Sequence, residues 1–237
     1  MFRKRNVVFP VLLIAFIVVF PPRYPYGDAG LDFILDVFAL LLAAFGEAVR
    51  VITVGLEYIK RGGLNKQVYA KQLVTGGAFT LSRNPLYIGN LLMVFALLML
   101  TGRLPIFLLG GAVVLFLYVS LVAAEENYLR EKFGDEYEAY CQKVARWLPN
   151  LRGVRGIFHD QRFNWRRVLL KENSNVYAWI VAAFLVDGIA HWRAGDFLES
   201  AGGRLFIVIL IVATAAFAAI RVLKKTGRLK EASSATP

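Results

Sequence analysis

Apolar residues fall in long blocks along this chain, neither alternating as in half-buried strands nor confined to the single stripe of a surface helix. The blocks cover about Val7–Pro22, Leu31–Leu56, Leu86–Leu100, Leu104–Ala124, Val176–His191 and Leu205–Leu223. A helix needs about 20 apolar residues to cross a bilayer, with a range of roughly 17–25. The pattern therefore predicts an all-α, polytopic membrane helical bundle of about six transmembrane helices. Only Thr101-Gly102-Arg103 separates the third block from the fourth, so those two are expected to form an antiparallel hairpin. The first block follows Met1-Phe-Arg-Lys-Arg-Asn6 in the manner of a signal peptide. Pro21-Pro22-Arg23-Tyr24-Pro25 succeeds it without a small-x-small cleavage site, and it is read as a short, retained first helix. No internal repeat is present.

Composition supports the membrane reading. Hydrophobic residues make up 57% of the 237 positions, against about 45–50% with glycine included in soluble domains. The net charge of +11 would suit nucleic acid, but the basic residues flank apolar blocks, so no nucleic acid is expected. Arg3, Lys4, Arg5, Lys60, Arg61, Lys66, Lys71, Arg83, most of the stretch from Glu125 to Lys171, and Lys224, Lys225, Arg228 and Lys230 fall on one side. Arg23, Arg103, Arg193 and Arg204 fall on the other. By the positive-inside rule both termini are cytoplasmic. The expected setting is a bacterial or archaeal cytoplasmic membrane, with membrane lipids as neighbours. Cys141 is the single cysteine, which rules out an intrachain disulfide. No Cys/His cluster has metal-ligand spacing, His159 and His191 are expected at the surface, and no metal is expected. The chain divides into an N-terminal helix and outer loop (1–30), a core (31–152), and an interfacial segment with two further helices and a short polar tail (153–237).

Several polar residues sit where polarity is costly. Val74–Gly89 joins a glycine-bearing basic loop to an apolar helix. Asn84 is expected to cap that helix and Pro85 to occupy its first turn, leaving N–H groups and a positive dipole end beside Arg83. Such a corner suits an anionic or carboxylate-bearing ligand; an ordinary loop-to-helix junction with a snorkelling arginine is the alternative. Asp32 and Asp36 are expected to favour the start of the second block. Glu47 and Arg50, three residues apart, can pair inside that span. Glu125 and Glu126 stand at the end of the fourth block, either contacting ligand hydroxyls or paired with a cation. Beyond them Leu129, Phe133, Tyr137, Tyr140 and Val144 recur at helical spacing, with Gly134 a candidate break. Trp147 is expected as an interfacial anchor, Arg146 can bind an acidic group, and Gln161–Lys171 reads as a lipid-surface segment.

Taken in order, these pieces resemble the integral membrane methyltransferases, a group that includes isoprenylcysteine carboxyl methyltransferases and phospholipid N-methyltransferases. The resemblance rests on Gly46 and Arg50, Leu73-Val-Thr-x-Gly77, Arg83-Asn84-Pro85-Leu86-Tyr87-x-Gly89, Glu125-Glu126, Phe133-Gly134-x-x-Tyr137-x-x-Tyr140, and Arg146 with Pro149. It covers about residues 40–152. Asn84 stands where many members carry histidine, and Thr80 where a basic residue is usual. The resemblance implies S-adenosylmethionine as cofactor and an amphiphilic methyl acceptor, with the site facing the cytosol. By carry-over Gly77, Arg83, Asn84, Pro85, Tyr87, Glu125 and Glu126 would bind the cofactor. Arg146 or Arg50 would hold a carboxylate acceptor, and Glu47, Glu125 or Glu126 would take the proton of an amine. A nicotinamide-dependent membrane reductase of the sterol reductase type and a non-enzymatic lipid-binding protein are the competing readings.

Overall fold

The computed structural model describes residues 14–57 except 16, then 72–154, 156–158 and 163–229. The basic segments at 3–5 and 60–71, His159, and the tail from Glu231 lie outside the described residues. So does much of the expected first helix, of which the described part is helical up to Val19.

Six α-helices follow, with no strand among the described residues: α1 Ala29–Leu56, α2 Pro85–Met99, α3 Leu104–Phe133, α4 Asp135–Lys143, α5 Trp165–Ala194 and α6 Ala201–Lys225. Asp28 starts α1 by accepting from the N–H groups of Gly30 and Leu31. α1, α3, α5 and α6 are long and apolar enough to cross a membrane, and α2 is a shorter apolar helix. Their outward faces carry Ile34, Phe38, Phe45, Phe116 and Ile211, all exposed, as expected of surface that meets lipid.

The helices alternate in direction. α1 and α2 cross so closely that a Cβ on Gly89 would lie 2.6 Å from the Gly46 carbonyl oxygen. Away from water, helices associate by packing, and small residues let their backbones approach. Ala39, Ala43, Ala96 and Ala183 continue that seam into a core with Leu97, Leu100, Val186 and Phe206. α5 runs antiparallel to α1 and is pinned to α2 by Trp179, whose Nε1 donates to the Met93 carbonyl at 2.8 Å. α6 lies outermost, with Phe217 stacked on Tyr177 at 4.3 Å between ring centroids.

The Gln161–Lys171 stretch, expected as a lipid-surface segment, forms the first turns of α5 from Trp165 onward. Asn164 caps that helix by accepting from Arg167 N, and its own N–H donates to the Gly55 carbonyl at 2.9 Å. The segment is thereby docked on the end of α1. Trp147, expected as an interfacial anchor, packs against the cluster around Tyr87 and Tyr118.

Candidate active site

The site is built where four segments meet at one end of the bundle: the loop before α2, the start of α2, the end of α3, and the chain after α4. Gly77 adopts φ +54°, in the left-handed region, and opens a tight turn through Thr80. Thr80 closes that turn by donating to Gly77 O at 2.8 Å. Gly134 (φ +50°, ψ −124°) separates α3 from α4 in a conformation reserved for glycine. That break folds α4 back over the loop, where Tyr140 donates to Phe79 O at 2.7 Å. The chain beyond α4 then runs along the loop. Arg83 N donates to Ala145 O and Asn150 N to Leu81 O, each at 2.9 Å.

Glu126 is the centre of this arrangement, with a side chain only 3% exposed. Asn84 Nδ2 donates to its Oε1 at 3.0 Å, and Arg146 Nε to its Oε2 at 3.0 Å. Arg83 Nε lies 3.3 Å from Oε1 and Arg146 NH2 2.8 Å from Oε2. Two guanidiniums thus share one buried carboxylate, which leaves the group net positive. Arg146 keeps much of its surface open, with its side chain 42% exposed. One residue earlier, Glu125 accepts a hydrogen bond from the Tyr87 hydroxyl at 2.6 Å. Burial, followed by the nearby Glu126 carboxylate, pushes the Tyr137 hydroxyl well above the usual tyrosine range. Burial also raises Tyr140, against an opposing pull from Arg83. Both remain protonated donors at neutral pH.

The structure gathers Arg83, Asn84, Tyr87, Glu125, Glu126 and Arg146, with Pro85 at the first helical position. It corrects the expected role of Asn84, whose side chain makes no capping bond and reaches Glu126 instead. The expected array of free N–H groups is largely used up too. Pro85 has none, and those of Tyr87 and Ile88 both go to Asn84 O. Positive charge at this corner comes from the two arginines rather than from the helix end.

Glu47 and Arg50 lie in a separate polar cluster. They pair as expected, with Arg50 Nε 3.6 Å from Glu47 Oε2. The stronger partners of Arg50 were not foreseen: Glu172 Oε2 on α5 at 2.5 Å, and Asn90 Oδ1 on α2. Neither oxygen of Glu47 has a hydrogen-bond partner. Asn90 follows Pro85 by five positions, so this cluster sits about 7.5 Å further along α2 than the Glu126 corner. His191, expected at the surface, is buried among Asp32, Asp36 and Asp187 at the opposite end of the bundle.

Residues 36–136 match the family model described as phospholipid methyltransferase. Through that stretch the chain is similar to the phospholipid methyltransferases. The match contains both polar clusters except Arg146 and Glu172, which lie beyond it. The chain is also 32% identical over 117 residues to protein-S-isoprenylcysteine O-methyltransferase B of Arabidopsis thaliana, covering 47% of this chain and 58% of that protein. It is 35% identical over 77 residues to the protein-S-isoprenylcysteine O-methyltransferase of Schizosaccharomyces pombe, covering 32% of this chain and 33% of that protein. An uncharacterized protein of Haemophilus influenzae is 50% identical over 40 residues, 16% of this chain and 64% of that protein. Each of these matches spans less than two thirds of the relative's length. No solved structure matches. The resemblance drawn from the motifs is borne out, and the apolar helices together with these relatives make the chain an integral membrane protein.

Proposed function

We propose that this protein transfers a methyl group from S-adenosylmethionine to an amphiphilic acceptor that reaches the site from the bilayer, with the Glu126 corner facing the cytosol. One observation carries the reading: a buried carboxylate collects Arg83, Asn84 and Arg146 from distant parts of a chain whose core is similar to membrane methyltransferases.

The donor set fits the cofactor. A net positive group centred on Arg83 and Arg146 suits the α-carboxylate of an amino acid. Glu125, held by Tyr87 beside it, suits an ammonium or a ribose hydroxyl. Bound there, S-adenosylmethionine supplies an electrophilic methyl on a sulfonium. The protein's own part is chiefly alignment, since reactants held in line reach effective molarities on the order of 10⁵–10⁸ M. Glu126 fixes the two guanidiniums, and the turn from Gly77 to Thr80, braced by Tyr140, fixes the loop that carries Arg83.

The deeper cluster divides the remaining roles. Arg50 is taken up by Glu172, Asn90 and Glu47, so it positions Glu47 rather than gripping an acceptor. Glu47, with no hydrogen-bond partner, is the group placed to take the proton of an amine acceptor. A carboxylate acceptor needs no base and would be held by the half-open Arg146.

The test is methyl transfer from labelled S-adenosylmethionine by the full chain in lipid nanodiscs. Phosphatidylethanolamine, a farnesylated cysteine and a total lipid extract are offered in parallel. Label in the organic phase, lost in Arg83→Ala, is the expected result. No transfer to any acceptor, with no turnover of the cofactor, would contradict the reading.

A further inference from the structure

At the end of the bundle away from Glu126, four ionisable side chains meet out of contact with water. Asp32 and Asp36 lie one turn apart on α1, and Asp187 and His191 one turn apart on α5. None is more than 4% exposed. One ligand atom from each falls within 4.8 Å of all the others.

Three side-chain atoms of this cluster, Asp36 Oδ2, Asp187 Oδ2 and His191 Nε2, make no hydrogen bond, and His191 Nε2 has only the ion-pair contact with Asp187 Oδ1 at 3.4 Å. Leaving one buried polar atom unsatisfied costs about 1–3 kcal/mol, and more if it is charged. Here three converge on one small space. The other face of the imidazole is engaged. His191 Nδ1 meets Asp196 Oδ1 at 3.3 Å and the Tyr24 hydroxyl, and that hydroxyl donates to Asp196 Oδ1 at 2.5 Å and Oδ2 at 2.6 Å. His191 Nε2 faces the aspartates, and with Asp196 accepting at Nδ1 a neutral ring protonated there would offer the Nε2 lone pair to an ion. A carboxylate behind a histidine in this way is the arrangement that orients a metal-ligating imidazole. Gly202, near the start of α6, closes the space. A Cβ there would lie 2.9 Å from His191 Nε2 and 3.2 Å from Asp36 Oδ2.

We propose that Asp36, Asp187 and His191, with Asp32 beside them, bind a single divalent transition-metal cation. Carboxylates facing one another in an apolar surround repel, and a divalent ion offsets two of their charges. The imidazole among oxygen donors points to zinc or manganese rather than magnesium or calcium, and the lack of a thiolate argues against copper(I). The site is distinct from the proposed methyl-transfer site. Asp36 and Arg50 are 14 residues apart on α1, about 21 Å along the helix. Its role is to fasten α1 to α5 under the cap of α6. The sequence held a trace of it in the two acid-bearing i, i+4 pairs, Asp32/Asp36 and Asp187/His191.

The experiment strips the detergent-purified full chain with a chelator and dialyses it against zinc, manganese or cobalt alone. Bound metal is counted by atomic emission, and the cobalt form is read by visible absorption. The expected result is a single ion per chain and a cobalt spectrum of nitrogen and oxygen ligands. Asp36→Asn and His191→Gln should abolish binding. Asp196→Asn, which leaves every ligand in place, should weaken it about 10- to 100-fold. Wild-type protein that binds none of the three ions overturns the proposal, as does undiminished binding in both Asp36→Asn and His191→Gln.

Discussion

Replacing Glu126 by glutamine tests the logic of the corner most sharply. The carboxylate takes contacts on both oxygens, from Asn84 and Arg83 on Oε1 and from Arg146 on Oε2. Whichever way the amide turns, its NH2 points a donor at a donor. Arg83, with its side chain 12% exposed, loses its counterion and has little water to replace it. Breaking a buried pair costs about 3–5 kcal/mol. Arg146 is nearly half open and recovers hydration, so about 3 kcal/mol is expected. At roughly 2–4 °C per kcal/mol for a chain of this length, the unfolding midpoint should fall by about 6–12 °C. Misplacing the guanidiniums should also remove a charge-assisted hydrogen bond worth about 1.5–3 kcal/mol, weakening S-adenosylhomocysteine roughly 10- to 150-fold. Arg146→Ala separates the two effects. It leaves Glu126 with Arg83 and Asn84, so stability should change by no more than about 1 kcal/mol while affinity drops. Thermal unfolding in detergent and ligand titration on the same samples supply both readings. A Glu126→Gln protein with the stability and the affinity of wild type would refute the reasoning.

The other structural assignments can be checked in the same way. Gly89→Ala forces a Cβ to within 2.6 Å of both the Gly46 carbonyl oxygen and Arg50 Cγ; it should cost about 1–3 kcal/mol, and an unfolding midpoint equal to wild type would show that the α1–α2 seam has room to spare. Glu47→Gln removes a carboxylate that makes no hydrogen bond, so stability should hold within about 1 kcal/mol. Methylation of an amine acceptor by that variant should nonetheless drop by about 10²-fold or more, and unchanged turnover would remove Glu47 from the chemistry. Gly134→Ala places a side chain at φ +50°, a strain of about 1–3 kcal/mol. It should loosen α4 and lower cofactor affinity without touching the site, as read by calorimetry.

The spans at the core of the chain were legible because hydropathy alone marks them. The blocks Leu31–Leu56, Leu86–Leu100 and Leu104–Ala124 correspond to α1, α2 and the apolar part of α3. The start of α5 was not, since Trp165–Asn175 is polar enough to hide a helix that neither glycine nor proline interrupts. Residues of the corner could be singled out individually, because charges at the end of an apolar block stand out. Their partners could not. Asn84 reads equally well as a cap or as a donor to a distant carboxylate, and only packing decides between them. Glu172 meets Arg50 across 122 positions of sequence, a pairing fixed by the register of α5 on α1. The same register buries His191, which in isolation resembles any histidine near a helix end.

The central claim is that the Glu126 corner binds the methyl donor. Its most direct test is calorimetric titration of the detergent-purified chain with S-adenosylhomocysteine, with NADPH as the parallel ligand. The account predicts saturable binding of the homocysteine compound, weakened by Arg83→Ala, and no binding of NADPH. Binding of NADPH alone, or of neither ligand, would contradict it.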